Sequence, residues 1–359
     1  MKQKKEFCRF LKHGLIIHGD NISPCCFYNG ADGNRDKKQK IGTGKQITEY
    51  QLQWENSNYS QTCVQCINQE KYGGISYRMS SFDVIPDDIT GIGYLELFLT
   101  PECNLACVLC DAASSDTWYK ENIKFSIPQS KIIHDIHSST SNYNKLLHNV
   151  NLDNIVYLKL KGGEPLIDKS HLAVLNALKH PEKVTLYYVS NFSVMPSAEL
   201  LKCWQKFKLV KWAASLDGVE QHFEYIRWPY KWKKLQSFAK KAINVVPDNV
   251  MFSIEYTLNP LNIFYYDRME EWHNSEFSQN KSGDKVDINV HSAYGILGLD
   301  KTPESLRNVI RKKYNNFIPE FLDHTPVSST NGTLDYLDKL TIQRGLDWRV
   351  IFPEIQQYF

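Results

Sequence analysis

Residues 94–110 read Tyr94-Leu95-Glu96-Leu97-Phe98-Leu99-Thr100-Pro101-Glu102-Cys103-Asn104-Leu105-Ala106-Cys107-Val108-Leu109-Cys110. The first seven residues have the aromatic and branched apolar character of a short strand. Directly after it come three thiols within one short loop. A strand that delivers chemistry-bearing side chains from its C-terminal end is the unit from which (β/α) barrels build their active faces.

Working outward, the same texture repeats. Short β-rich runs fall at 94–100, 154–160, 184–190, 211–215, 251–257 and 286–290. Between them, 171–180, 198–206 and 231–246 have the length and composition of crossover helices. Alternation of this kind predicts βα units and a parallel sheet. Six units are fewer than the eight of a full barrel, so the expected fold is α/β: a partial (β/α)6 TIM-like barrel.

The strand ends carry glycines and small polar residues. After the second run comes Lys161-Gly162-Gly163-Glu164-Pro165, after the third Ser190-Asn191, and after the fourth Ser215-Leu216-Asp217-Gly218. The fifth is followed by Asn259-Pro260-Leu261-Asn262 and the sixth by His291-Ser292. Together they predict one lined cavity.

The chain has 359 residues, of which 42 % are hydrophobic and 23 % charged. Those proportions exclude a disordered or collagen-like polymer. With 42 basic against 40 acidic side chains the net charge is +2, so nothing advertises an extended phosphate-binding surface, and nucleic acid is not an expected partner. No run approaches the roughly 18 apolar residues of a membrane span. The apolar stretch 15–17 near the start is shorter than the about 7–15 residues of a secretory signal. A cytoplasmic protein is expected. The 20 Tyr and 8 Trp serve core packing or cavity lining, which composition does not separate.

Nine cysteines are present: Cys8, Cys25, Cys26, Cys63, Cys66, Cys103, Cys107, Cys110 and Cys203. Cytosolic thiols stay reduced, so close spacing reads as metal or cluster ligation, or as a redox pair. Three ligands in one loop leave one coordination position open, the arrangement of a site that binds substrate. On softness alone, zinc and iron–sulfur clusters suit such thiolates equally. Residues 1–90 are cysteine-rich and short of core, and a bound metal or cluster would help hold them together. The expected division is an N-terminal module at 1–90, the partial barrel at 91–296 and a helical extension at 297–359, with packing elements at 334–340 and 350–352.

The loop Cys103-x3-Cys107-x2-Cys110 after one strand, with Gly162-Gly163-Glu164-Pro165 after the next, resembles the radical S-adenosylmethionine superfamily over roughly residues 93–290. The first ninety residues resemble the twitch, or SPASM-like, auxiliary-cluster module of one branch. There the likeness rests on Cys8, Ile22-Ser23-Pro24-Cys25-Cys26, and Cys63-x2-Cys66 followed by Glu70, Gly74, Ser76 and Arg78.

The resemblance implies that Cys103, Cys107 and Cys110 hold a 4Fe–4S cluster whose fourth iron takes S-adenosylmethionine. It implies reductive cleavage of that cofactor to a 5′-deoxyadenosyl radical, which removes a hydrogen atom from substrate. Gly162 and Gly163 would let backbone approach the methionine amino group without a Cβ in the way, with Glu164 adding a carboxylate or fixing the turn. Asn191 and Ser215 would bond ribose hydroxyls or the carboxylate, and Arg227 would pair with the carboxylate. Leu109 stands where the superfamily commonly has an aromatic residue, and would pack against adenine. Cys8, Cys25, Cys63 and Cys66 would ligate a second 4Fe–4S cluster, with Cys26 as the alternative to Cys25 and a zinc knuckle as the alternative group. Cys203 reads as a small apolar residue.

A peptide or protein is the expected substrate, and a sugar or nucleotide derivative the alternative. Flavodoxin or ferredoxin is the expected reducing partner. A non-catalytic, zinc-stabilised binding module is the reading from a different class.

Overall fold

The computed structural model describes residues 6–18, 21–27, 52, 54–56, 63–71, 76–98, 100–131, 133, 150–323 and 325–359. An eight-stranded sheet has the order β2-β1-β3-β4-β5-β6-β7-β8. Its strands are β1 (Gly14–His18), β2 (Asn21–Ser23), β3 (Tyr94–Phe98), β4 (Tyr157–Lys161), β5 (Thr185–Ser190), β6 (Leu209–Ser215), β7 (Val250–Leu258) and β8 (Asp287–Ser292). β1, β3, β4 and β5 pair in parallel, as do β7 and β8, whereas β2 is antiparallel to β1. The sheet ends in two different strands, so this is a partial barrel of the α/β class.

The six runs expected from the sequence are β3 to β8, with ends moved by a few residues. The largest movement is at β4, where Asp153 and Asn154 form a turn and the strand begins at Tyr157. A seventh parallel strand, β1, lies within the first ninety residues and pairs with β3 from Gly14↔Tyr94 to His18↔Phe98. Gly14 fits its position because an added Cβ would lie 2.5 Å from the carbonyl oxygens of Phe10 and Pro24. The chain passes too closely there for any side chain.

The expected crossover helices form at His171–Ala177, Ala198–Trp204 and Trp232–Val245. Ser197 caps the second by accepting from the Leu200 amide at 3.1 Å. In the tail, Asn331–Arg344 and Trp348–Ile351 are helical. No helix among the described residues is long and apolar enough to cross a membrane.

Two compact units emerge. One comprises Met1–Thr100, Ser138–Val189 and Ser197–Lys211, and the other Pro101–His137, Ser190–Pro196 and Trp212–Phe359. In the first, Leu95, Leu158 and Leu186 on consecutive strands are wholly buried, while Phe10, Tyr94 and Ile85 pack beside the N-terminal cysteines. In the second, the Phe192 ring meets Trp212, Phe238, Phe252 and Phe277 at centroid distances of 4.9 to 6.0 Å. Alternate residues of β7, from Phe252 to Leu258, are buried and give that core its sheet side.

Candidate functional site

The three-cysteine loop spends its backbone on its neighbours. Cys103 N–H donates to Asp116 Oδ1 at 2.7 Å, and the Ser115 hydroxyl donates to Leu105 O at 2.6 Å. Trp118 Nε1 donates to Cys107 O at 2.7 Å. All three partners belong to the start of the helix Asp116–Lys124, which Ser115 also caps. On another side, Ala106 N–H donates to Trp228 O and Val108 N–H to Ile226 O, at 2.7 and 2.8 Å. The helix Asn331–Arg344 adds Arg344 Nη2 to Ala106 O at 2.9 Å and Tyr336 Oη to Val108 O at 2.8 Å. With main-chain groups satisfied in this way, the loop is held by its backbone.

Cys103 and Cys107 are buried and Cys110 is half-buried. Asn191 Nδ2 lies 3.7 Å from Cys103 Sγ and donates to Asn104 Oδ1 at 2.9 Å. Ser193 completes this cluster, its amide donating to Asn191 Oδ1 at 3.1 Å. Between Asn191 and Ser193, the buried Phe192 has φ 58°, a left-handed conformation costly for a bulky residue. Its amide is tied to Ser190 Oγ at 3.0 Å and its carbonyl to the Tyr230 hydroxyl at 3.1 Å. The surrounding aromatic core thus holds a strained turn that presents Asn191 to the loop.

The resemblance gives Arg227 a cofactor carboxylate; the structure gives it a carboxylate from within the chain. Its Nη2 lies 2.5 Å from Asp217 Oδ2, and its Nη1 lies 3.8 Å from Cys107 Sγ. Asp217 is wholly buried and also accepts from the Thr257 amide at 2.8 Å. Burial pushes the Asp217 carboxyl up and the guanidinium beside it pulls it back. Burial raises the Cys107 thiol, opposed first by Arg227. Burial and the neighbouring Cys107 push Cys110 up to about 12.

In the other unit, Gly162 and Gly163 directly follow β4. Gly162 has φ 151°, a conformation that side chains disfavour. The Gly163 amide donates to Thr100 O at 2.7 Å. Glu164 is fully buried and its Oε1 accepts from the Leu166 amide at 3.1 Å, which fixes the turn. Ser215 ends β6 and is half-buried, as is Leu109.

Cys8, Cys25, Cys63 and Cys66 are all buried. Burial pushes Cys8 up to about 12, and the charges of Cys63 and Cys66 push the same way. Cys25 is raised by burial, then by Cys8, Cys26 and Cys63. These thiols therefore lie within each other's fields. Cys26 is exposed, and its strongest charged neighbours are Glu96, Lys161 and Lys159.

The helix Val64–Lys71, which carries Cys66, is fastened by a buried ion pair. Arg78 Nη2 lies 2.6 Å from Glu70 Oε2, and Arg78 Nε donates to Glu70 Oε1 at 2.9 Å. The Ser76 hydroxyl bonds the same carboxylate. Cys203 is buried with its Sγ 4.0 Å from Asn176 Oδ1.

Both sets offer sulfur alone, and burial raises the thiols of Cys8, Cys25, Cys66, Cys107 and Cys110. A positively charged iron–sulfur core that stabilises deprotonated sulfur fits both sets. Among the described residues, no group of three or more His, Cys, Asp or Glu is arranged to hold a single metal ion.

Asp217, Asn104, Ser193, Tyr336 and Arg344 were missed as site residues. Only Asp217 carried a local signal, its position immediately after the fourth strand run.

No protein-family model and no curated protein matches the chain. Solved structures do. SuiB of Streptococcus suis bound to S-adenosylmethionine is 11 % identical, with a TM-score of 0.35, over 74 % of this chain and 61 % of that one. A second SuiB structure is 12 % identical, with a TM-score of 0.36, over 78 % and 64 %. The chain thus spans less than two thirds of the length of each.

Proposed function

We propose that this chain is a radical S-adenosylmethionine enzyme. The observation that carries the reading is the Cys103–Cys107–Cys110 loop, held through its backbone while Asn191 and Arg227 direct donors at the sulfurs of Cys103 and Cys107. A 4Fe–4S cluster on these three thiolates, with S-adenosylmethionine at its open iron, supplies one-electron cleavage of the sulfonium and hence hydrogen-atom abstraction. The chain's own residues do the rest. Cys103, Cys107 and Cys110 ligate, and Gly162, Gly163 and Glu164 shape the turn that takes the methionine amino group. Asn191 and Ser215 serve the ribose or carboxylate, and Leu109 packs on the adenine.

The same reading gives Cys8, Cys25, Cys63 and Cys66 to a second 4Fe–4S cluster that takes up the substrate's leftover electron or binds the substrate. The proposed substrate is a peptide or protein, with a small sugar or nucleotide derivative second, and a cytoplasmic flavodoxin or ferredoxin is the electron source.

The test is anaerobic reconstitution of the full chain and of a Cys103/Cys107/Cys110→Ala variant, with iron, sulfide and 5′-deoxyadenosine measured after dithionite. About eight irons in the wild type, about four in the variant and deoxyadenosine only from the wild type support the reading. Zinc without sulfide, and no deoxyadenosine, would support the binding module instead.

A further inference from the structure

A buried arginine that merely braces a fold uses its donors on oxygen. Arg307 shows the pattern: its three nitrogens donate to the carbonyls of Thr302, Leu322, Thr325, Leu299 and Pro326. Arg227 behaves differently. Its Nε is buried without a hydrogen-bond partner among the described residues. One terminal nitrogen is committed to Asp217 and the other to a cysteine sulfur. The grip on the loop at this point comes from the backbone carbonyls of Ile226 and Trp228 and does not need the Arg227 side chain.

We infer that Arg227 and Asp217 act as an opposed charge pair that sets the reduction potential of the cluster on Cys103, Cys107 and Cys110. This rests on the proposed function. The step concerned is the one-electron reduction of the cluster by an external low-potential donor, which adds one negative charge to the iron–sulfur core. A positive charge and an N–H directed at a ligand sulfur stabilise the added charge and raise the potential, and a nearby carboxylate lowers it. The guanidinium touches Cys107 Sγ while the carboxylate stands behind it, and of the two fields on Cys107 that of Arg227 is the larger. With side-chain exposures of 14 % and 0 %, neither charge is well screened by water. Arg227 therefore makes this cluster easier to reduce, and Asp217 limits how far.

Because S-adenosylmethionine would itself bring charges to the site, the test is an EPR-monitored dithionite titration of the reconstituted full chain without it. The signal is assigned by its loss in the Cys103/Cys107/Cys110→Ala variant. Arg227→Gln is expected to disfavour reduction about tenfold, 59 mV for one electron. Asp217→Asn is expected to move the potential in the opposite direction, with Arg227→Lys in between and the other cluster unmoved. Opposite signs are what a charge pair predicts. Loosening of the loop would move both variants the same way, and that result, or no shift in either, overturns the inference. Should Arg227→Gln fail to hold its cluster, Asp217→Asn and Arg227→Lys decide the matter. Loss of no cluster in the triple-cysteine variant would instead overturn the proposed function.

Discussion

The Tyr336 hydroxyl donates to the Val108 carbonyl at 2.8 Å, across 228 residues of chain. With Arg344, eight residues further along the same helix, it makes the helix Asn331–Arg344 part of the cysteine loop's support. Arg344 also stacks over Trp118 at 4.5 Å and pairs with Glu121 at 2.9 Å, with side-chain exposures of 3 % and 12 %.

Breaking that support is expected to cost stability and cluster together. Arg344→Ala removes one partner of a buried ion pair, a change worth about 3–5 kcal/mol, and Tyr336→Phe removes one hydrogen bond, about 1 kcal/mol. Urea unfolding of the apoprotein and iron retained after reconstitution should rank wild type above Tyr336→Phe, and that above Arg344→Ala. Equal iron in all three would show that the loop stands without this helix.

The two adjacent thiols are expected to separate cleanly. Cys25 is buried in one cluster with Cys8 and Cys63, whereas Cys26 is exposed near Glu96 and two lysines. Cys25→Ser should leave about four irons per chain and Cys26→Ser about eight. The reverse result would transfer the ligand role to Cys26.

Glu70→Gln should damage the first unit selectively. It strips the charge from one member of a pair whose side chains are 2 % and 7 % exposed, and breaking a buried pair on one side costs about 3–5 kcal/mol. Iron assigned to the N-terminal cysteines should fall while deoxyadenosine formation by the other cluster persists. Loss of both activities at once would show that the units do not fail separately.

His222 supplies a pH-dependent contribution. Burial holds its imidazole down at about 4, Arg268 pushes the same way, and Glu354 opposes. Its ring stacks on Tyr265 at 4.1 Å and Phe352 at 5.0 Å. The unfolded chain takes up this proton near pH 6.5 and the folded chain near 4, so between them the unfolded state holds more protons. Stability from the neutral ring is complete above about pH 6.5 and falls with pH, by up to about 1.4 kcal/mol per unit, until about pH 4. Apoprotein unfolding at pH 7.5 and 5.5 should show a smaller difference in His222→Phe than in the wild type. An unchanged difference would remove His222 from the account.

The six β-rich runs were legible because each announces itself locally, and the three-cysteine loop because its ligand spacing is contained in eight residues. β1 was not. Its five residues offer only the apolar stretch 15–17, and its partner Tyr94 lies 80 positions away, so pairing is decided by tertiary packing. Arg227 shows the same limit: its charge was visible, but the choice of Asp217 and Cys107 depends on how the turn after β6 meets the loop. Tyr336 and Arg344 reach the loop from so far along the chain that no local pattern could connect them to it.

The distance between Arg344 and Ala106 also imposes an order in time. They are 238 residues apart, and at about 5–20 residues per second a ribosome needs roughly 12–48 s to make that stretch. For that interval the loop's thiols exist without the helix that steadies their backbone. On the proposed function, cluster delivery to Cys103, Cys107 and Cys110 belongs after synthesis of the unit, since iron offered earlier meets a loop whose clamp has not yet been made.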